Sequence, residues 1–290
     1  MLFSKRLLSI LMVLALYTPA YAAGEDTPYS VFAEGHYIGE ADVESNEGSF
    51  GITGFTTGFS IPYLDFSYTQ DKYDWSKASR LPLGTNGDDP WETMHTLALS
   101  SGYSDRINDT WGWFVHGGIS SAFESDMNDS FGAMATGGLT YAITDTISIS
   151  AGAGIAFHSI ENALFPVLSI DYDGRGTNGL GAFGSLGLEG VEAGYAFSKE
   201  FRLVGDVTRT GDIYRLADDS KVEREGFVEF SGWKGGVRAE YDVTPELSFS
   251  GGMDYHFART MKVYDSDGDE RKKLDIDGAP GFSLGVSYSF

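Results

Sequence analysis

Phe282-Ser283-Leu284-Gly285-Val286-Ser287-Tyr288-Ser289-Phe290 ends the chain, and its parity decides the fold. Phe282, Leu284, Val286, Tyr288 and Phe290 share one side of a strand. Ser283, Gly285, Ser287 and Ser289 share the other, because successive strand side chains point to opposite faces. The segment before it repeats the pattern: Leu247, Phe249, Gly251, Met253, Tyr255 and Phe257 against Ser248, Ser250, Gly252, Asp254 and His256. So does Trp111, Trp113, Val115, Gly117 and Ile119 against Gly112, Phe114, His116, Gly118 and Ser120. Residues 131–141 and 147–157 read alike. A soluble sandwich buries its apolar face and shows charge on the other. Here the second face is mostly Gly, Ser, Thr and Ala, which suits the lumen of a barrel whose apolar face meets lipid.

Composition agrees. Glycine supplies 38 of 290 residues and aromatics 14%, with only 8 prolines; glycine is thus near twice its usual share of about 7%. The start reads as a cleaved signal peptide. Lys5 and Arg6 give a positive n-region, Leu7 to Tyr17 an apolar run too short for a bilayer-spanning helix, and Ala20-Tyr21-Ala22 a cleavage site after Ala22. The expected organisation is a leader over 1–22 and one barrel domain over 23–290. Removing the leader takes away Lys5 and Arg6 and deepens the formal charge from −22 to −24. Such acidity argues against a nucleic-acid partner. With no cysteine, neither a disulfide nor a thiolate metal site can form. No cofactor motif stands out. Gly174-Arg175-Gly176-Thr177-Asn178-Gly179 satisfies G-x-G-x-x-G but lacks the amphipathic helix that a dinucleotide site requires.

Tight and long connections alternate. Residues 61–63, 104–110, 143–146, 198–200 and 243–246 read as tight turns. Residues 44–47, 73–92, 124–130, 159–179, 215–226 and 264–278 read as longer polar loops. Short periplasmic turns and longer outer loops are the asymmetry of outer-membrane barrels. The count is about twelve strands in an all-β, antiparallel, up-and-down transmembrane barrel with both termini periplasmic. Ala163 to Asp173 and Leu180 to Leu188 also look like strands, and counting them gives fourteen. Twelve is the primary expectation, with this region as an outer loop or hairpin. The apolar parity shifts between Leu188 and Val191, which implies a turn or bulge near Glu189-Gly190.

The last strand, with Leu284, Val286, Tyr288 and terminal Phe290 at alternate positions, resembles the C-terminal signal of Gram-negative outer-membrane barrels. The resemblance implies that the barrel-assembly machinery reads it, and that outer-membrane lipids and lipopolysaccharide surround the protein. The stretch from Ala163 to Phe201 and the ending from Ala279-Pro280-Gly281-Phe282 onward are also similar to a large uncharacterised family of outer-membrane barrels. That likeness implies location and fold, not a substrate.

Charge on the lumen parity concentrates in the C-terminal half: Glu192, Arg202, Asp206, Lys234, Arg238, Glu240, Asp254 and His256. Such groups either line a constriction and select ions or pair across strands and brace a closed barrel. His116 also falls on the lumen parity and His95 on the apolar one, as a rim residue. His158, Ser159 and Glu161 could form a hydrolytic set only if the strand ends there, since adjacent strand residues face opposite ways. Asp265-Ser266-Asp267-Gly268-Asp269-Glu270 spaces carboxylates as calcium loops do, but Gly268 comes too early and Lys272 and Lys273 follow. No catalytic, cofactor or metal residue is therefore expected. The leading function is a narrow channel or substrate-specific porin for small solutes. A closed barrel acting through its outer loops is the alternative, and a lipid-modifying enzyme comes third.

Overall fold

A computed structural model describes residues 29–44, 47–83, 85 and 87–290. The expected signal peptide lies outside the described residues. Fifteen strands follow in order: β1 (Ser30–Val43), β2 (Gly48–Ile61), β3 (Leu64–Ser76), β4 (Thr93–Arg106), β5 (Trp111–Phe123), β6 (Phe131–Ala142), β7 (Ile147–His158), β8 (Asn162–Asp173), β9 (Gly181–Gly187), β10 (Gly190–Ala196), β11 (Phe201–Arg215), β12 (Phe227–Asp242), β13 (Leu247–Tyr264), β14 (Glu270–Ile276) and β15 (Ala279–Ser289). Each pairs with the next in antiparallel register from β1 to β13. β14 and β15 are two pieces of one stave, since both pair with β13 and both with β1. The break at Asp277-Gly278 faces bulges in β1, between Ile38 and Ala41, and in β13, at Ala258 with φ 50°. The barrel therefore closes with fourteen staves.

Fourteen replaces the primary expectation of twelve. Residues 162–173 are not an outer loop: β8 pairs with β7 from Phe157↔Asn162 to Ile147↔Tyr172. Gly174 to Leu180 then turns at the end that carries the tight turns. The parity shift near Glu189 is a hairpin turn at Leu188-Glu189.

The tight turns share one device. Asn108, Thr144, Ser198 and Thr244 each accept two backbone N–H groups from residues two and three further on, at 2.9–3.3 Å. A short polar side chain thereby imitates the backbone and fixes the reversal. The β2–β3 turn uses Pro62, followed by Tyr63 at φ 66°.

The apolar parity faces outward. Phe249, Met253, Tyr255, Leu284, Leu139, Ile155, Leu164 and Leu168 are all exposed. At the tight-turn end Trp111–Tyr141, Tyr103–Trp113 and Tyr195–Phe197 form an aromatic girdle, with ring centroids 4.8, 5.3 and 4.8 Å apart. Backbone polar groups closed into a ring, an apolar band and an aromatic girdle make the exterior of an outer-membrane barrel.

Two features set this barrel apart from a uniform cylinder. First, the half of the lumen away from the tight turns is filled. Inward-facing Val43, Phe50, Tyr73, Trp75, Val228, Phe230, Met261, Val263 and Leu274 pack with Leu81, Leu83 and Trp91 from the β3–β4 loop. Phe50–Trp75 and Trp75–Trp91 centroids lie 4.8 and 5.2 Å apart. Trp75 Nε1 donates to Trp91 O at 2.8 Å, whereas the buried Trp91 Nε1 has no partner among the described residues. Lys221 pairs with Asp88, and Lys272 donates to Pro82 O, so the β11–β12 loop and strand β14 hold this lid.

Second, the wall is uneven. β9 and β10 have seven residues each, between β8 of twelve and β11 of fifteen. Pairing stops at Ser169↔Gly187 on one flank and Gly190↔Thr208 on the other. Above that height β11 runs to meet β5, with Arg215 beside Phe123 in a parallel contact.

Candidate functional site

The eight lumen-parity charges fall into two groups. Glu192, Arg202, Asp206, Arg238 and Glu240 lie on β10, β11 and β12, toward the tight-turn end. Glu192 sits in register with Asp206, and Arg202 with Glu240. Arg202 binds Glu240 and lies 3.7 Å from Asp242, while Arg238 Nε donates to Glu240 Oε1 at 2.7 Å. These groups form a connected strip along the wall. Glu240 is engaged by Arg202 across the strands and by Arg238 along β12, whereas Glu192 and Asp206 stand opposite each other as like charges, and removing either partner of the Arg–Glu set would leave the other uncompensated.

Lys234, Asp254 and His256 belong higher, where they line a cavity of about 290 Å³ directly beneath the apolar fill. Its walls also carry Glu34, His36, Asp71 and Asp212, and Tyr73, Tyr214 and Phe230 roof it. Two His–Asp pairs stand in it. His256 Nε2 lies 2.9 Å from Asp254 Oδ1, and His36 Nε2 lies 2.7 Å from Asp71 Oδ1.

Each pair is built over a glycine. His36 on β1 and Asp71 on β3 reach each other across β2 because Gly54 lies between them; a Cβ there would overlap both side chains. Gly281 on β15 leaves the space over which Asp254 and His256, two residues apart on β13, project side by side. Gly54 thus does more than leave room for water: it lets strands one apart share a hydrogen bond.

Glu34, His36, Asp71 and Asp212 were absent from the sequence-derived set. Their signal was present in β1, where Phe32, Glu34, His36 and Ile38 occupy the parity opposite to Val31, Ala33, Gly35 and Tyr37. The cavity as a whole was hidden, since it gathers residues from β1, β3, β11, β12 and β13.

The other sequence candidates are accounted for individually. His116 lies on the inner face of β5 with its ring 5.8 Å from Phe114. His95 is on the outer parity near the outer end of β4, and its Nδ1 is 2.9 Å from Tyr68 Oη. His158 is buried against Phe227, with ring centroids 5.9 Å apart. Ser159 Oγ instead donates to Asp129 O at 2.6 Å, so the two side chains engage different partners. In the β13–β14 loop Asp265 accepts the N–H groups of Asp267 and Asp269 at 3.1 and 2.8 Å and pairs with Arg271 at 2.5 Å. These contacts hold its carboxyl below the usual carboxylate range, with the Asp269 N–H the largest cause. The carboxylate is committed to shaping its own loop. Among the described residues no cluster of three or more His, Asp or Glu could hold a metal ion. Leu284, Val286, Tyr288 and Phe290 all face outward on the closing stave.

No family model matches the chain, and no curated protein does. Several solved barrels are similar in shape. An outer membrane channel from Pseudomonas putida F1 has a TM-score of 0.46 at 8% identity, over 94% of this chain and 99% of that one. NanC porin gives 0.41 at 12% identity, over 90% and 100%. KdgM porin gives 0.36 at 8% identity, over 89% and 99%. The likeness is one of fold.

Proposed function

We propose that the protein is a narrow, gated channel for small polar solutes, open toward the periplasm and shut on the outer side by the β3–β4 lid. The observation that carries this reading is the position of the charged cavity. It lies between a lumen walled by Gly, Ser and Thr and a plug that includes a loop. A barrel built only as a scaffold has no need of eight acidic and basic side chains, Arg259 among them, around a central void, since desolvating them is costly. A gate, in contrast, needs a filled element that can leave. The lid meets this need because Trp91 carries an unsatisfied indole N–H, and leaving such a donor buried costs about 1–3 kcal/mol.

On this reading both termini are periplasmic, on the side of the short turns. Outer-membrane lipid and lipopolysaccharide contact the apolar band, and the assembly machinery reads the final strand. Lys234 and Arg238 oppose Glu34, Asp71, Asp212 and Asp254 in setting ion preference. The test is conductance in a planar bilayer under a salt gradient. Neutralising Lys234 and Arg238 together is expected to shift the reversal potential toward cation selectivity; neutralising Asp254 and Glu240 is expected to shift it the other way.

A second reading has its own observation in its favour. The plug is continuous and its centre fully buried, as a closed barrel acting through its loops would require. A folded protein that never conducts, even without its lid, would establish that reading instead.

A further inference from the structure

The bulge in β13 changes which residues face the lumen. Below it the inward positions are even-numbered, Asp254 and His256; above it they are odd-numbered, Arg259, Met261 and Val263. Phe257 and Ala258 are both exposed, and Ala258 takes φ 50° to make the change. A bulge inserts one residue and re-aims the side chains beyond it. Without it Arg259 would stand on the lipid parity, where a guanidinium is costly. The bulge therefore puts a cation into the lumen, directly under the plug.

Arg259 is 8% exposed and lines the charged cavity. Its guanidinium lies 5.4 Å from the Phe50 ring centroid, and its Nη1 donates to Asp277 O at 3.5 Å. Gly232 on β12 leaves room for the stem, since a Cβ there would come within 3.0 Å of Arg259 Cγ. Among the described residues no carboxylate pairs with it. A guanidinium carries five N–H donors, so one long bond to a carbonyl leaves most of them to the cavity. A buried cation without a counter-ion is costly, and its planar fork matches a carboxylate.

The other charges of the cavity leave a complementary remainder. Asp71 is held by His36 and Asp254 by His256, with Lys234 in register beside His256 on the next strand. Glu34 and Asp212 line the same cavity and form no ion pair among the described residues. One cation and two carboxylates are thus left over, at different heights. Asp212 is in register with Phe230, and Phe230 with Met261, one inward position above Arg259. Asp212 and Arg259 therefore flank Phe230 under the roof, on strands two apart, about 10 Å across the sheet. Glu34 is lower, one inward position below His36 on β1.

We propose that the cavity binds a small amino acid with a basic side chain. Its carboxylate would lie on Arg259, its α-ammonium on Asp212, and its side-chain cation would reach down to Glu34. One anionic and two cationic groups match the one cation and two carboxylates left over. A simple amine or an inorganic cation would leave Arg259 unanswered, and a simple carboxylate would meet two unbalanced acids. The aromatic faces of Tyr73 and Phe230 close the roof and favour a cation beneath them. A volume of about 290 Å³ is at the small end of ligand pockets, which run to about 300–1,000 Å³, so the occupant is a single small molecule. The inference names the solute of the proposed channel and rests on that reading for the route of entry, but binding itself is measured without conductance.

The probe is L-lysine, titrated calorimetrically into the full mature protein refolded in detergent micelles. Cadaverine, which lacks the carboxylate, and 6-aminohexanoate, which lacks the α-ammonium, are titrated alongside. The expected result is saturable one-site binding of L-lysine, tighter than either analogue by about tenfold or more, the worth of one charge-assisted contact. Arg259→Met should bring L-lysine down to the level of cadaverine while heat-modifiable mobility shows the barrel still folded. Glu34→Gln should weaken L-lysine about tenfold and, being far from the plug, supplies a second variant if Arg259→Met does not fold. Cadaverine binding as tightly as L-lysine, L-lysine binding unchanged in these variants, or no saturable L-lysine binding at millimolar concentration would overturn the site. L-lysine binding by a protein that never conducts would keep the site and reject the channel. Conductance without L-lysine binding would do the reverse.

Discussion

Truncating Trp91 to alanine is the most direct probe of the plug. The indole is 2% exposed and touches Tyr73, Trp75 and Phe230, with centroids 5.9, 5.2 and 6.0 Å away. A buried aromatic of this size hides on the order of 200 Å², so its loss costs about 5 kcal/mol at ~25 cal/mol per Å². Removing the unsatisfied Nε1–H returns about 1–3 kcal/mol. The expected net destabilisation is therefore about 3 kcal/mol, near the low end for such truncations. The void left behind adjoins Tyr73, which roofs the charged cavity, so the change should also shorten or breach the barrier between cavity and lid. Two assays read the two consequences: urea unfolding of the refolded barrel for stability, and single-channel recording for open probability. Loss of stability with new or longer openings supports the gate. Full stability with no change in conductance would refute both the packing argument and the placement of the gate.

Further expectations concern face, pairing and pH. In the cysteine-free background, Asp254→Cys should react with a water-soluble maleimide far faster than Phe249→Cys; equal rates would contradict the assignment of faces. Gly54→Val should break the His36–Asp71 pair by filling the space between them, lowering stability by about 1–3 kcal/mol and altering ion selectivity, whereas the same change at outward Gly35, where a Cβ meets nothing within 4 Å, should do neither. Because the folded carboxyl of Asp265 ionises below its ordinary range, its contribution to loop order is complete above the ordinary carboxylate value and is lost as pH falls through the depressed one. Hydrogen-exchange protection at residues 265–269, corrected for intrinsic rates, should thus fall as the pH drops below the ordinary carboxylate value of about 4, and Asp265→Asn should flatten that dependence.

The alternation that betrayed the fold is a local property, and it was legible wherever outward and inward residues differ in kind. Phe249 against Asp254, or Trp113 against His116, needs no partner strand to interpret. The strand count was harder for physical reasons. β8 contains a proline and a mixed apolar run, and β9 and β10 span only part of the barrel height, so neither looks like a full stave. The plug was also concealed. In β2 and β3 the inward parity switches from Gly54 and Asp71 to Phe50, Tyr73 and Trp75 as the strand rises, which in sequence resembles a lapse of pattern. The His36–Asp71 pair depends on register across a third strand, and no single segment encodes that. Arg202 and Glu240 could each be placed on the inner parity of a strand, but their pairing joins β11 to β12 across the long 216–226 connection, so no single segment encodes it.

The contact between Arg215 and Phe123 has a consequence in the arithmetic of direction. At the height of the rim, strands β11, β12, β13, β14, β1, β2, β3, β4 and β5 form a smaller ring from which the β6–β10 excursion is left out. Strands that alternate up and down can close without conflict only in even number. This ring has nine, so one junction must join two strands running the same way, and β5 with β11 is that junction. It is held by a single register pair, by Glu124 N–H donating to Arg215 O at 2.9 Å, and by Ala217 N–H donating to Glu124 Oε2 at 2.8 Å. A hydrogen bond of this kind contributes about 0.5–1.5 kcal/mol, far less than the long antiparallel ladders elsewhere. The odd count therefore places a weak seam in the rim, beside the short β9–β10 hairpin, and it is there that the ring would part first.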